Sequence, residues 1–418
     1  MTQIEIPTTL PSGPASAIAQ TMLKLGLEGA EQEEVLEQYC HALIDIGVPL
    51  MRLHVAQSAF HPRYGGVGFD WTRSDGLKSE QYEYTETPRE RWQASPLYHL
   101  LQTQELEMRI VLKDSNQPST YPLLNDLRQL GATDYFATGL VLNRFDTSQP
   151  IDPDNTPEGV LLSWTSDGAE GFSDHDIDQI RSVLPYLGLA LKSASNRKMA
   201  RELLGVYLGK DAGNRVLSGE IERGSLEKID AAICYFDLIG FTSLAERLDG
   251  DTMINMLNAY FGVAVRIIEG IGGHVLKFMG DGLMAMFDLG DASEDAEAAL
   301  QAAQRLTTEM NALNEKRGAA GLPTAGFTLA LHNGEIFYGN IGADSRLDFT
   351  VIGPAVNQTA RLSDMHRALG QNIVVSERLR RAAGADRPEL VSLGRYMLRG
   401  VPQPQELFTI HTTPEEPK

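Results

Sequence analysis

Two aspartates stand where apolar sequence would otherwise continue. Asp237 ends the run "AAICYFD", and Asp281 interrupts "FMGDGLMAMF" at 278–287, flanked by Gly280 and Gly282. A buried carboxylate is costly unless something pairs with it. Two carboxylates brought together repel unless a cation joins them, and hard oxygen ligands favour Mg²⁺ or Mn²⁺. After Asp237, the residues Ile239, Gly240, Phe241 and Thr242 lead into a helix predicted to begin near Ser243. The free N–H groups of such a start can cradle phosphate. Asn357 and Arg361 are four apart, so they share one face of a helix beginning near Ala355. An amide and a guanidinium pointing the same way fit a ribose and a reacting phosphate. Each feature has a plain alternative. An Asp beside Gly is commonly a turn residue, and an Asn/Arg pair is commonly a solvated helix face. Together, in one topology, they outline divalent-metal chemistry on a nucleotide.

The elements that must position these groups are legible as patterns. Strand "AAICYFD", a helix over 243–270 and a hairpin of 274–278 with 283–287 come first. A helix over 292–316, strands at 325–332 and 335–341, a helix near 355–369 and the short strand "NIVVS" follow. A final "RYMLRG…ELFTI" pair closes the chain. The order β-α-β-β-α-β is the ferredoxin-like signature with additions. If the first strand ends beside the hairpin turn, Asp237 and Asp281 meet.

Upstream, residues 1–15 are rich in Pro, Thr and Ser and read as a loose tail. Helical spacing covers about 16–47, and strand-like runs follow: "LMRLHVAQ", "GVGFDWT", "EMRIVL", "YFATGLVL" and "GVLLSWTS". Ser173 is a good N-cap, with Asp174, Asp176 and Asp178 in the first turn of a helix spanning about 170–210. The expected division is an α+β regulatory domain over 16–195, a helical linker and transducer over 196–227, a catalytic domain over 228–411 and a tail at 412–418.

The 418 residues carry a net charge of −20, which argues against docking on nucleic acid or an anionic membrane. Cys40 and Cys234 are too sparse for a disulfide framework or a zinc site and read as buried thiols. No apolar run of about 18 residues suggests a membrane span. The start lacks a basic region followed by an apolar core, so a cytoplasmic location is expected.

"FDLIGFTSL", "KFMGDG" and "TVIGPAVNQTARL" resemble the two metal motifs and the transition-state motif of the class III nucleotidyl cyclase catalytic domain. The resemblance covers about 228–411. It implies ligation of two Mg²⁺ or Mn²⁺ ions by Asp237 and Asp281, ribose orientation by Asn357 and α-phosphate stabilisation by Arg361. "YMLRGV" resembles a late motif whose basic residue, here Arg399, contacts the terminal phosphates. The family's two purine-reading positions fall on Lys277 and Thr350. Lysine only donates and a threonine hydroxyl can accept, so the pair matches adenine N1 and N6. Threonine in place of the commoner aspartate marks the class IIIb subgroup, some of whose members respond to bicarbonate. Thr328 stands where many relatives carry an arginine.

The resemblance implies conversion of ATP to 3′,5′-cyclic AMP and pyrophosphate in a head-to-tail homodimer whose chains share each site. A cyclase preferring GTP and a catalytically silent nucleotide-binding module are the alternatives. "GFSDHDIDQIRSVLPYLGLAL" resembles the closing helix of GAF-like sensor domains. That implies a small-molecule effector at the N-terminal domain, with a ligand-free dimerisation platform as the alternative.

Overall fold

The computed structural model describes residues 11–59, 61–84, 90–103, 105, 107–113, 118–142, 158–384 and 386–411. It divides into two compact units, Met1–Leu203 and Leu204–Lys418. The expected tail at 412–418 and the first ten residues of the tail expected at 1–15 lie outside the described residues.

In the first unit, helices α1 (Pro14–Glu28) and α2 (Gln32–Asp45) precede strands β1 (Leu50–Ser58), β2 (Tyr64–Thr72) and β3 (Gly76–Glu83). Then come α3 (Glu90–Gln93), α4 (Pro96–Thr103), β4 (Glu107–Val111), α5 (Pro122–Gln129), β5 (Asp134–Val141), β6 (Gly159–Ser166) and α6 (Asp174–Leu208). α1 starts inside the stretch read as a tail, because Pro14 at the first helical turn is pre-set for helix. The six strands form one antiparallel sheet in the order β3-β2-β1-β6-β5-β4. One face packs on α1, α2 and α6 around Trp71, Phe136 and Trp164. The other packs on α4 and α5. Ser173 caps α6 as expected: its hydroxyl accepts from Asp176 N–H at 3.1 Å and its own N–H donates to the Asp176 carboxylate at 2.7 Å.

The second unit continues with α7 (Lys210–Leu217), β7 (Leu226–Ile239), α8 (Phe241–Ala245), α9 (Gly250–Gly270), β8 (His274–Met279), β9 (Gly282–Phe287) and α10 (Ala292–Ala319). β10 (Gly326–Ala343), β11 (Arg346–Ile352), α11 (Pro354–Ser363), α12 (His366–Leu369), β12 (Ile373–Ser376), α13 (Glu377–Ala382), β13 (Leu390–Tyr396) and β14 (Gln405–Ile410) complete it. The sheet runs β13-β14-β12-β10-β7-β9-β8, with β11 paired to β10. The run at one end, β10-β7-β9-β8, is the 4-1-3-2 order of a ferredoxin-like core, as expected.

Three expectations are corrected. The helix over 243–270 is two helices, because the Asp249 carboxylate accepts from Thr252 N–H at 2.9 Å and starts a new one. Strands 325–332 and 335–341 are one strand, β10, held continuous by its ladder with β7 from Gly326↔Ile239 to Gly339↔Leu226. The helix near 355–369 breaks into α11 and α12.

Alternation along β7 decides which groups reach the site. Ala232, Cys234, Phe236 and Leu238 face α9 and α10 in the main core, with Phe236 stacked on Phe327 at 5.4 Å. Their neighbours Ile233, Tyr235 and Asp237 take the opposite face. Against that face α11 packs Ala355, Thr359 and Leu362. Cys40 and Cys234 are buried and free, as expected.

Candidate active site

β7 pairs with β9 so that Asp237 lies opposite Gly282, the residue after Asp281. Leu238 N–H donates to the Asp281 carbonyl at 3.3 Å, which fastens the hairpin turn to the end of β7. The two aspartates are thereby neighbours. Burial, and then the Asp281 charge, push the Asp237 carboxyl up to about 6, against the Leu238 N–H, which favours the ionised form. Both flanking glycines have a structural reason. Gly280 turns the hairpin at φ 65°. A Cβ on Gly282 would lie 2.7 Å from the Phe236 carbonyl oxygen and 2.8 Å from Asp237 Oδ1.

Among the described residues no group of three His, Cys, Asp or Glu side chains is placed to hold a metal. The pair nevertheless fits a divalent cation. Two hard carboxylates repel each other at the end of the interior strands, and a bound cation would relieve that repulsion while oxygens from a ligand complete its shell.

Lys277 on β8 and Thr350 on β11 come together, with Nζ 3.5 Å from Oγ1. The β10–β11 hairpin brings them there, packing Tyr338, Phe349 and Val351 with Met284 and Met286 of β9. Asn357 and Arg361 lie one turn apart on α11, as the spacing predicts; Asn357 is exposed and Arg361 half-buried. Arg361 lies along the turn between β13 and β14, where a Cβ on Gly400 would sit 3.3 Å from its Nη2. Leu398 anchors that turn at 3% exposure, and the adjacent Arg399 is exposed.

Ile239, Gly240 and Thr242 are exposed and Phe241 is buried. α8 is barely one turn, so little helix dipole accumulates there and any anion would be met by individual N–H groups.

Thr328, singled out in the sequence, pairs directly with Asp237 from β10. Two further groups around the site, Tyr235 and Asp364, escaped the sequence reading. The Tyr235 phenol is raised by burial, then by the charges of Asp237 and Asp364, so it lies near both carboxylates. Its hydroxyl is 3.7 Å from Met279 Sδ. The signals were present, since Tyr235 is two residues before Asp237 on a strand and Asp364 is three after Arg361 at the end of α11.

Residues 225–412 match the family model of the adenylate and guanylate cyclase catalytic domain. An adenylate cyclase of Anabaena cylindrica is 32% identical over 161 residues, covering 38% of this chain and 31% of that protein. An uncharacterised protein of Mycobacterium tuberculosis is 30% identical over 221 residues, covering 52% of this chain and 38% of that protein. The chain thus spans about a third of the length of these curated relatives. The crystal structure of the adenylyl cyclase CyaB from P. aeruginosa is 24% identical, covers 46% of this chain and all of its own, and has a TM-score of 0.42. No helix among the described residues is long and apolar enough to cross a membrane. Residues 225–412 of this chain thus resemble an adenylate/guanylate cyclase catalytic domain.

Proposed function

We propose that the chain is an adenylyl cyclase, forming 3′,5′-cyclic AMP and pyrophosphate from ATP in a homodimer with shared sites. The observation that carries the reading is the carboxylate pair, Asp237 with Asp281, within the matched cyclase domain. This pair would hold two divalent cations, Mg²⁺ or Mn²⁺, which supply charge neutralisation at the triphosphate and acidify the ribose 3′-hydroxyl. The 3′-oxygen attacks the α-phosphorus in line, and pyrophosphate leaves. Asn357 orients the ribose. Arg361 meets the charge that grows on the α-phosphate. Arg399 and the N–H groups of Ile239 to Thr242 take the outer phosphates.

The Lys277–Thr350 pair supports adenine over guanine. Lys277 donates to N1, and the Thr350 hydroxyl accepts from N6. Guanine carries a donor at N1 and would face a second donor.

In the dimer, one chain gives the aspartates and the N–H groups that follow Asp237, and its partner gives the base-reading pair, Asn357 and the arginines. Exposed apolar side chains beside these stretches support a second copy there: Ile239 is 43% exposed, Phe278 54%, Ile352 45% and Met397 62%. The N-terminal unit fits a GAF-like regulatory domain, supported by its six-stranded antiparallel sheet and long closing helix.

Product analysis with ATP, GTP, CTP and UTP and Mn²⁺ tests the reading. Cyclic AMP is expected as the main product, and Lys277→Glu should lower the ATP-to-GTP ratio of kcat/KM by about tenfold or more. Cyclic GMP as the main product, or an unchanged ratio in the variant, would refute the base assignment. No cyclic nucleotide from any of the four would favour the silent module.

A further inference from the structure

The hairpin that carries Thr350 is laced to residues upstream of the matched domain, which begins at residue 225. β10 pairs with β11 so that Tyr338 lies opposite Val351 and Gly339 opposite Thr350. One residue further along β10, Asn340 is 4% exposed and holds the stretch between α7 and β7 at three points. Its Nδ2 donates to the Glu220 carbonyl at 2.6 Å, its N–H donates to the Ser225 carbonyl at 3.1 Å, and its own carbonyl accepts from Gly224 N–H at 3.0 Å. The approach is close, since a Cβ on Gly339 would lie 2.1 Å from the Ser225 carbonyl oxygen. At the hairpin turn, Arg223 Nη1 donates to Asp344 Oδ1 at 2.5 Å.

α7 holds one face of the same hairpin. The guanidinium carbon of Arg215 lies 5.2 Å from the Tyr338 ring centroid, and Tyr338 is 2% exposed. Three carboxylates fix that guanidinium: Asp211 at 3.2 Å, Glu220 at 3.4 Å and Glu227 at 2.7 Å. The Tyr338 ring in turn meets Phe349 edge-on, with centroids 4.9 Å apart. Ala212 of α7 joins the same cluster with Phe349 and Val351. These two residues flank Thr350. Alternation along β11 therefore sends them into the cluster and turns the Thr350 hydroxyl to the opposite face, toward Lys277. A shift of Tyr338 moves the backbone that presents Thr350.

We propose that Arg215 is a positioning residue for purine selection, holding Tyr338 and Phe349 so that Thr350 stands where adenine can be read together with Lys277. The inference rests on the base-reading role proposed for Lys277 and Thr350. The contact asks for arginine in particular. A flat guanidinium can lie on the Tyr338 ring while its edge nitrogens meet the carboxylates of Asp211, Glu220 and Glu227, whereas a lysine ammonium offers one point of charge. Without the guanidinium, three carboxylates repel one another beside the hairpin and Tyr338 loses the group that covers its ring. Arg215 lies on the far side of the hairpin from the Thr350 hydroxyl, so its effect falls on which base fits. The phosphoryl chemistry stays with the aspartates and Arg361.

Steady-state kinetics of the full chain with ATP and GTP and Mn²⁺ test it in a double-mutant cycle. Thr350→Ala should lower the ATP-to-GTP ratio of kcat/KM, as the base-reading role demands. Arg215→Gln alone should lower the same ratio by about threefold or more, through a higher KM for ATP with kcat nearly kept. In the Thr350→Ala background it should lower the ratio no further. A merely structural Arg215 would reduce the melting temperature and leave the ratio unchanged in both backgrounds. Should Arg215→Gln not fold, Arg215→Lys, which keeps the charge and loses the flat stack, carries the same cycle. An unchanged ratio in the Arg215 variant, or an equal fall in both backgrounds, would overturn the inference while a lowered ratio in Thr350→Ala upholds the base reading. An unchanged ratio in Thr350→Ala, or no cyclic nucleotide from wild type, would overturn both.

Discussion

At the scale of single residues, the decisive contact is between like charges. Asp237 is held half-buried beside Asp281, and burial first, then that like charge, push its carboxyl up to about 6. Nothing in that arrangement favours folding of the metal-free protein; on the proposed reading it is a cost accepted for cation binding. Millimolar Mn²⁺ should therefore raise the melting temperature of the carboxy-terminal unit by a few degrees, through binding to the folded state alone. Asp237→Ala should remove that response, melt no lower than wild type without metal, and cut cyclic nucleotide formation by more than about a hundredfold. Calorimetry and a product assay on one preparation read both effects. Turnover above a tenth of wild type would sink the role given to Asp237.

At the scale of elements, the hairpin that presents Asp281 is tightly specified. Gly282 has no room for a side chain, since a methyl would press on the Phe236 carbonyl and on Asp237 itself. Gly282→Ala should displace one carboxylate from the other and lower kcat by about tenfold or more, because misplacement of the order of 1 Å is costly to catalysis. Wild-type kcat in this variant would show that the turn is more pliable than the geometry implies. The hairpin and the β7 terminus were legible beforehand because each is a short apolar run cut by glycine, and their meeting follows from ferredoxin-like order. Breaks such as Asp249-Gly250 were not, because helical periodicity continues on both sides of a local cap. Asn333-Gly334 reads as a turn, yet β7 supplies a partner for every residue through it, so long-range pairing overrides the dipeptide. The approach of Lys277 to Thr350 depends on how the β10–β11 hairpin packs over β9, which no local pattern encodes.

β10 also carries a pH-dependent element of stability. His332 is 3% exposed, its Nδ1 lies 2.8 Å from Ser376 Oγ, and burial followed by the Arg378 charge lowers its pKa to about 4. The folded state thus keeps this imidazole neutral, whereas the unfolded chain protonates it near 6.5. The contribution is complete above that value and is lost as pH falls from about 6.5 toward 4. Asp295, raised to about 6 mainly by burial, acts in the opposite sense, so wild type alone does not isolate the effect. Urea unfolding of wild type and His332→Gln at pH 7 and pH 5 does. Wild type should lose about 2 kcal/mol more than the variant over that interval. Equal losses would mean that His332 takes up its proton without unfolding.

At the scale of the whole molecule, the site residues divide into two groups that need not serve the same nucleotide. Asp237 and Asp281 close the end of β7, while Lys277, Thr350, Asn357 and Arg361 lie on β8, β11 and α11. The exposed apolar residues interleaved with both groups give a second copy something to cover. In the proposed head-to-tail dimer, an Asp237→Ala chain can still lend Arg361, and an Arg361→Ala chain can still lend Asp237. Each homodimer is then dead at both sites, and each mixed dimer has one intact site. Random exchange at equal concentrations makes half the dimers mixed, so about a quarter of wild-type activity should return. Activity of the mixture near zero, with exchange verified by differently tagged chains, would place all the machinery for one reaction within one chain. Recovery near a quarter would instead tie every turnover to the register between two copies, which makes that interface the natural point of control.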